Sequence, residues 1–178
     1  MTSAIQILNG VGPQSTHLDH LAYNVASVFG VTTRVVPSTL QVERAFDQSR
    51  RQYNSTALLA LLFNLSSAPD VKNILIVDVD LYIPVLTFVF GEAQLNGIAA
   101  VVSTHRLRNQ FYGLPLSEDT TYVRLEKEVI HELGHTFGLY HCRQFECVMR
   151  SSTYVEEIDL KKAVPCASCS ALLAQSAG

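Results

Sequence analysis

The segment HELGHTFGLYHC, residues 131–142, constrains the fold more than any other part of the sequence. In an α-helix, His131 and His135 point the same way, because residues four apart lie one turn from each other on the same side. Two imidazoles in that arrangement can hold one metal ion, and Glu132 lies beside the first of them. The segment is therefore predicted to be helical, with this face holding an ion.

Gly138 and His141 complete the pattern. A catalytic zinc needs three protein ligands and an open position for water. Glycine tolerates the left-handed conformation that ends a helix, so the chain can turn at Gly138 and bring His141 back to the metal. From composition alone, the whole pattern would arise by chance with a probability of about 2 in 100,000. Glu156 and Glu157 are an alternative source of the third ligand.

These residues predict zinc-dependent hydrolysis of a peptide or protein substrate. The ion would activate a water molecule, and Glu132 would take the proton of that water and pass it to the leaving amine. An endopeptidase and an aminopeptidase would share every one of these residues. The alternative function is a zinc-stabilised domain that binds peptides and cleaves them negligibly. The intact Glu132 argues against it, because a binding domain has no need of that carboxylate.

Four cysteines follow in two close pairs, Cys142 with Cys147 and Cys166 with Cys169. Pairs at this spacing predict a structural zinc with four thiolate ligands. Two disulfides or four unconnected thiols are the alternatives, and a reducing compartment disfavours the disulfides. Cys142 directly follows His141, so a zinc held by the cysteines would also fix the backbone that presents the third catalytic ligand. Two zinc ions per chain are expected, one catalytic and one structural.

Composition limits the partners and the compartment. The net charge of -3 argues against nucleic acid as the main partner. No apolar run approaches the roughly 20 residues that span a bilayer, and the start of the chain lacks the features of a secretory signal. The basic pair Lys161-Lys162 is interpreted as solvated surface. We expect a monomeric cytoplasmic protein.

Strands and helices alternate along the chain, which predicts a mixed α/β sheet. The predicted strands are 5–8, 31–36 and 73–83, and the predicted helices are 17–29, 50–65 and 117–138. Segments 86–91 and 97–104 are predicted to be antiparallel neighbours. The second of them is the expected edge strand, against which an extended substrate could pair, and simple packing in the core is the alternative for it. A single domain, residues 1–178, is expected to divide at Gly138 into an N-terminal subdomain with the active-site helix, residues 1–138, and a C-terminal subdomain, residues 139–178.

The segments HELGHTFGLYHC, CVM and CASC together closely resemble the archaemetzincins. Their hallmark is HExxHxxGxxH followed by Cys, four residues, Cys-x-Met and a later Cys-x-x-Cys. The segments DVDLYIPVLTFVFGEA and AAVVSTHRLR are also similar to that family, so the resemblance covers at least residues 78–169. It implies a zincin-like metzincin fold, with a twisted mixed sheet above the active-site helix and a small zinc-stabilised C-terminal subdomain. It also implies that Met149 forms the Met-turn, an apolar base beneath the three histidines.

Overall fold

The computed structural model describes residues 2–12, 16–66 and 68–177. The strands in these ranges are β1 Ala4–Asn9, β2 Thr33–Pro37, β3 Phe46–Asp47, β4 Gln52–Asn54, β5 Val71–Val77, β6 Leu81–Tyr82, β7 Gly91–Ala93 and β8 Ala99–Ser103. The α-helices are α1 Thr16–Phe29, α2 Ser55–Leu65, α3 Glu118–Thr136, α4 Val155–Asp159 and α5 Ala167–Ala177. No helix in the described ranges is long and apolar enough to cross a membrane.

A five-stranded sheet in the order β2-β1-β5-β8-β7 carries the fold. Its first four strands are parallel and β7 is antiparallel to β8, which confirms the mixed α/β class with one antiparallel edge strand. The edge is β7, so the prediction that residues 97–104 form it was wrong. β8 lies inside the sheet, and all five of its residues are buried. A second, smaller sheet has the order β3-β4-β6.

Helices cover both faces of the large sheet, as the pattern of β5 shows. Ile74 and Ile76 belong to the apolar cluster that contains residues of α1 and α3. Leu75 and Val77 belong to the cluster that contains residues of α2. Because successive side chains of a strand point to opposite faces, a strand buried on both sides has the near-continuous apolar sequence seen here.

The helix predicted over residues 50–65 begins later, at Ser55. The side chain of Asn54 accepts a hydrogen bond from the N–H of Ala57 at 3.0 Å, which caps the helix at that point. Residues 52–54 pair instead with β3 and β6. Propensity favoured a helix through this stretch, and pairing in the second sheet overrode it.

The strand predicted over residues 73–83 breaks after Val77. Asp80 receives two hydrogen bonds from Arg106, at 2.5 and 2.7 Å, and Asp78 lies 2.6 Å from Arg108. These ion pairs hold the chain that leaves β5 against the segment that follows β8. The chain then continues as β6, in the smaller sheet.

Helix α3, which carries the predicted active site, begins and ends within two residues of the predicted bounds 117 and 138. The Ser117 hydroxyl accepts from the N–H of Thr120 at 3.2 Å, which satisfies a free amide of the first turn. At the other end, Lys72 Nζ donates to the Thr136 carbonyl at 2.7 Å. Gly138 follows with a φ of 89°, in the left-handed region, so it ends the helix as predicted.

Charged side chains fasten the C-terminal segment to α3. Arg124 donates two hydrogen bonds to the Asp159 carboxylate, both at 2.7 Å, and Lys127 Nζ donates to the Ile158 carbonyl at 3.0 Å. Both cations lie on α3, and both acceptors belong to α4. The division of the domain at Gly138 stays a prediction.

Candidate active site

The three histidines of the sequence pattern converge on one point. The Nε2 atoms of His131 and His135 are 3.2 Å apart, and one ligand atom from each of His131, His135 and His141 lies within 4.8 Å of the others. Two ligands of a tetrahedral zinc with Zn–N bonds of 2.0–2.1 Å would be about 3.3–3.4 Å apart. The spacing therefore fits one tetrahedral zinc. α3 supplies the first two imidazoles, and the turn at Gly138 supplies the third.

Backbone carbonyls orient the two helical imidazoles. His131 Nδ1 donates to the Val148 carbonyl and His135 Nδ1 donates to the Leu139 carbonyl, each at 2.7 Å. Because a carbonyl can only accept, Nδ1 carries the proton and Nε2 keeps its lone pair for a metal. Burial lowers the pKa of His131 well below its usual value, and the charge of Lys161 lowers it further. Both effects favour the neutral imidazole that a metal requires.

Glu132 lies beside this point and is buried, with 6% of its surface exposed. Burial raises the pKa of its carboxyl well above the usual value, and Glu128 and Glu92 raise it further. Gly91, at the start of the edge strand, makes room for it. A Cβ at Gly91 would lie 2.9 Å from Glu132 Oε1 and 2.7 Å from the Val101 carbonyl oxygen. The pattern of residues 131–142 did not predict this contact, which depends on β7 crossing above α3.

Met149 is fully buried and packs against α3 between the two histidine positions. Gly134 permits this approach, because a Cβ there would meet the Met149 sulfur and would lie 2.9 Å from Met149 Cε. The Cys142 N–H donates to the Met149 carbonyl at 2.9 Å, so the chain next to the third histidine is tied to the same segment. This position suits the apolar base that the resemblance to the archaemetzincins implies, and the Met-turn role stays a prediction.

We expect Gly134→Ala to destabilise the zinc-loaded protein by about 1–3 kcal/mol, because the new methyl group would overpack against Met149. An exposed helical glycine replaced by alanine would normally gain about 1 kcal/mol. Urea unfolding measures the difference. The double variant Gly134→Ala/Met149→Ala removes the clash, so it should be less destabilised than the sum of the two single variants. A stability gain in Gly134→Ala would contradict the close contact.

The four cysteines also converge. One Sγ–Sγ distance of 3.8 Å joins Cys142 to Cys166, and another of 3.8 Å joins Cys147 to Cys169. All four sulfurs lie within 4.8 Å of one another. A disulfide needs about 2.05 Å, whereas thiolates around a zinc with Zn–S bonds of 2.3 Å lie about 3.8 Å apart. The cluster therefore fits a tetrahedral four-thiolate zinc and not two disulfides.

An open cleft of about 320 Å³ leads to the histidines. One wall is the segment 86–91, and the other includes His141 and residues 151–153. Neither of the alternative third ligands, Glu156 and Glu157, belongs to the histidine cluster, and Glu157 is engaged elsewhere. Glu157 Oε2 accepts hydrogen bonds from the backbone N–H groups of Thr153 and Tyr154, at 2.5 and 3.3 Å.

Glu128 and Lys161 form a buried ion pair at the cleft that the sequence did not predict. Lys161 Nζ lies 3.1 Å from Glu128 Oε1, and the two side chains are 1% and 5% exposed. The interpretation of Lys161 as solvated surface was therefore wrong, although Lys162 is exposed and pairs with Glu146. Glu128 precedes His131 by three residues and Glu132 by four, so helical spacing could have placed it on the same face. Nothing in the sequence identified Lys161 as its partner.

The family model for peptidase family M54 matches residues 16–175. The archaemetzincin of Methanocaldococcus jannaschii is 40% identical over 154 residues, which are 85% of this chain and 82% of that protein. The archaemetzincin of Haloquadratum walsbyi is 44% identical over 132 residues, which are 72% of this chain and 75% of that protein.

Solved structures agree with these sequence relatives. The archaemetzincin of Methanopyrus kandleri superposes with a TM-score of 0.85 at 32% identity and covers 98% of this chain and 95% of its own. A zinc-dependent peptidase of Methanocorpusculum labreanum superposes with a TM-score of 0.84 at 28% identity, covering 95% of this chain and 99% of its own. The sequence match, the shared fold and the converging histidines point the same way, and the chain belongs to peptidase family M54, the archaemetzincin family of zinc metallopeptidases.

Proposed function

We propose that this protein hydrolyses peptide bonds with a zinc ion held by His131, His135 and His141 and with Glu132 as the general base and acid. One observation carries the proposal. The Nε2 atoms of His131 and His135 face each other at 3.2 Å while their Nδ1 atoms donate to backbone carbonyls. Imidazoles held in this tautomer present a free Nε2 lone pair to a metal ion. The cleft that leads to the histidines gives a peptide access to that ion.

When bound, zinc supplies Lewis acidity, which lowers the pKa of a water molecule towards about 7 and polarises a carbonyl group. The residues around it move the protons. Glu132 would accept the proton of the attacking water and deliver it to the amine that leaves. The burial that raises the pKa of its carboxyl favours a group able to hold that proton between the two steps. Gly91 keeps the edge strand close enough to confine the carboxylate to one position.

We propose that a second zinc, bound by Cys142, Cys147, Cys166 and Cys169, has a structural role. The backbone N–H of Cys169 lowers the pKa of Cys166 to about 7, whereas burial raises the pKa of Cys147 and of Cys169, so binding of the metal would have to displace the protons of those two thiols. The cysteines join the short segments around α4 and α5. A segment of this size has too small an apolar core of its own, so metal binding would contribute directly to its folding.

Metal content and peptide cleavage together test the proposed function. We expect two zinc ions per chain in the purified protein and cleavage of a mixed peptide library. A chelator should abolish cleavage and added zinc should restore it. Two zinc ions without cleavage of any peptide would support the alternative, a zinc-stabilised peptide-binding domain. Fewer than two would contradict the assignment of the cysteines, the histidines or both.

A further inference from the structure

The cleft contains two polar groups that the proposed mechanism does not use. Glu128 is only 4% exposed and lines the cleft, yet in the described part of the chain the one hydrogen bond to its carboxylate comes from Lys161 and reaches Oε1. Oε2 is left without a donor. Ser152 lines the same cleft, and its hydroxyl oxygen is buried without a hydrogen-bond partner among the described residues. A buried hydroxyl is rarely left unpaired in folded proteins, so Ser152 calls for a partner, and Glu128 keeps one carboxylate oxygen free to accept a hydrogen bond in the same cleft.

Lys161 does not supply a partner for either atom. Its ammonium already donates to Glu128 Oε1 and to the Arg150 carbonyl, each at 3.1 Å, and its side chain is 1% exposed. Lys161 is not among the residues that line the cleft. The ion pair therefore holds Glu128 in one position in the lining of the cleft and leaves its Oε2 unpaired.

We propose that Glu128 and Ser152 form a specificity subsite that selects a substrate side chain ending in a hydrogen-bond donor, such as the ammonium of lysine or the amide of glutamine. The inference rests on the proposed function and adds the class of substrate to it. Glu128 precedes Glu132 by one helical turn, so the selected side chain belongs to a residue close to the bond that is cut. The cleft volume of about 320 Å³ has room for a long side chain.

The chemistry of the subsite disfavours other side chains for two reasons. An apolar side chain would cover Glu128 Oε2 and the Ser152 hydroxyl and leave both without a hydrogen bond. An acidic side chain would place a second carboxylate beside Glu128, and the two negative charges would repel each other. A site built to accept a hydrogen bond rejects the analogue that lacks the donor more strongly than an apolar pocket rejects a change of size.

Binding of zinc-anchored ligands tests the subsite without requiring turnover. A hydroxamate group chelates the catalytic zinc, and a single attached side chain then lies beside it. Four such ligands carry the side chains of lysine, norleucine, glutamine and glutamate. Norleucine is lysine without its terminal ammonium, and glutamine and glutamate are matched in length. We expect lysine to bind about tenfold more tightly than norleucine, and glutamine about tenfold more tightly than glutamate. Displacement of a fluorescent hydroxamate from the zinc-loaded protein gives the four dissociation constants.

The double variant Glu128→Gln/Lys161→Met assigns the preference to Glu128. Replacing Glu128 alone would leave Lys161 as an unpaired buried charge, whereas the double variant removes both charges of the pair. We expect the lysine-to-norleucine ratio to fall to within about twofold in this variant. Lys162→Met, at the exposed neighbouring lysine, is the matched control and should keep the wild-type ratio.

The possible outcomes separate the subsite from the proposed function. Equal binding of all four ligands, or a preference for norleucine or glutamate, would overturn the subsite while leaving the zinc site intact. A lysine preference that persists in the double variant would overturn the role of Glu128. Failure of every hydroxamate to bind would instead contradict the catalytic zinc, and the subsite with it.

Discussion

Glu132→Gln is expected to lose peptide cleavage by about 10²- to 10⁴-fold while its zinc content stays at the wild-type value. The carboxylate is replaced by an amide of the same shape that cannot accept the proton of water. The metal should remain, because the three nitrogen atoms that converge on its site belong to the histidines and Glu132 contributes no atom to that cluster. Turnover of a peptide identified from the library, together with metal analysis, measures both quantities.

Glu126→Gln is the matched control, since it makes the same change on the same helix. Its carboxylate accepts from Asn24 Nδ2 at 2.8 Å and does not line the cleft. Cleavage should stay within about twofold of the wild type, because surface substitutions away from the site have small effects. Full activity in Glu132→Gln would refute the general-base assignment, and loss of zinc there would mean that the carboxylate is a ligand.

Cys166→Ser is expected to lose the structural zinc and also to weaken the catalytic one. A zinc with four thiolate ligands contributes folding free energy directly, roughly 10–16 kcal/mol in isolated zinc-binding peptides, so the melting temperature should fall markedly. Cys142 follows His141 and Cys147 precedes Val148, whose carbonyl orients His131. We expect the affinity of the histidine site to fall by about 10- to 100-fold, as it does when a partner that orients a ligand is lost.

Cobalt substitution separates the two sites, because thiolate and imidazole ligands give different absorption spectra. Titration of both signals in wild type and Cys166→Ser gives the two affinities. Ser168→Ala, at an exposed position in α5 two residues after Cys166, should leave both affinities unchanged. A histidine site of wild-type affinity in a variant that has lost its thiolate site would show that the two centres are independent.

The elements around the histidines could be predicted because their signals are local. The cap at Ser117 and the turn at Gly138 depend on neighbours within a few residues. The predicted edge strand and the predicted helix start at residue 50 were wrong for the opposite reason. Whether β8 lies at the edge depends on β7, and whether residues 52–54 form a strand depends on β3 and β6. Those partners are set by the packing of the whole chain.

The metal chemistry could be derived from local sequence patterns. His131, Glu132, His135, Gly138 and His141 stand at spacings that a helix and one glycine turn convert into a single site, and the cysteine pairs work the same way. The contacts that surround the metal site could be identified only from the folded structure. Gly91 against Glu132, Met149 against Gly134 and Lys161 against Glu128 join residues that are 15 to 41 positions apart. No local sequence pattern predicts these contacts. They depend on how distant segments pack and on which charges become buried, and both are decided only when the chain folds.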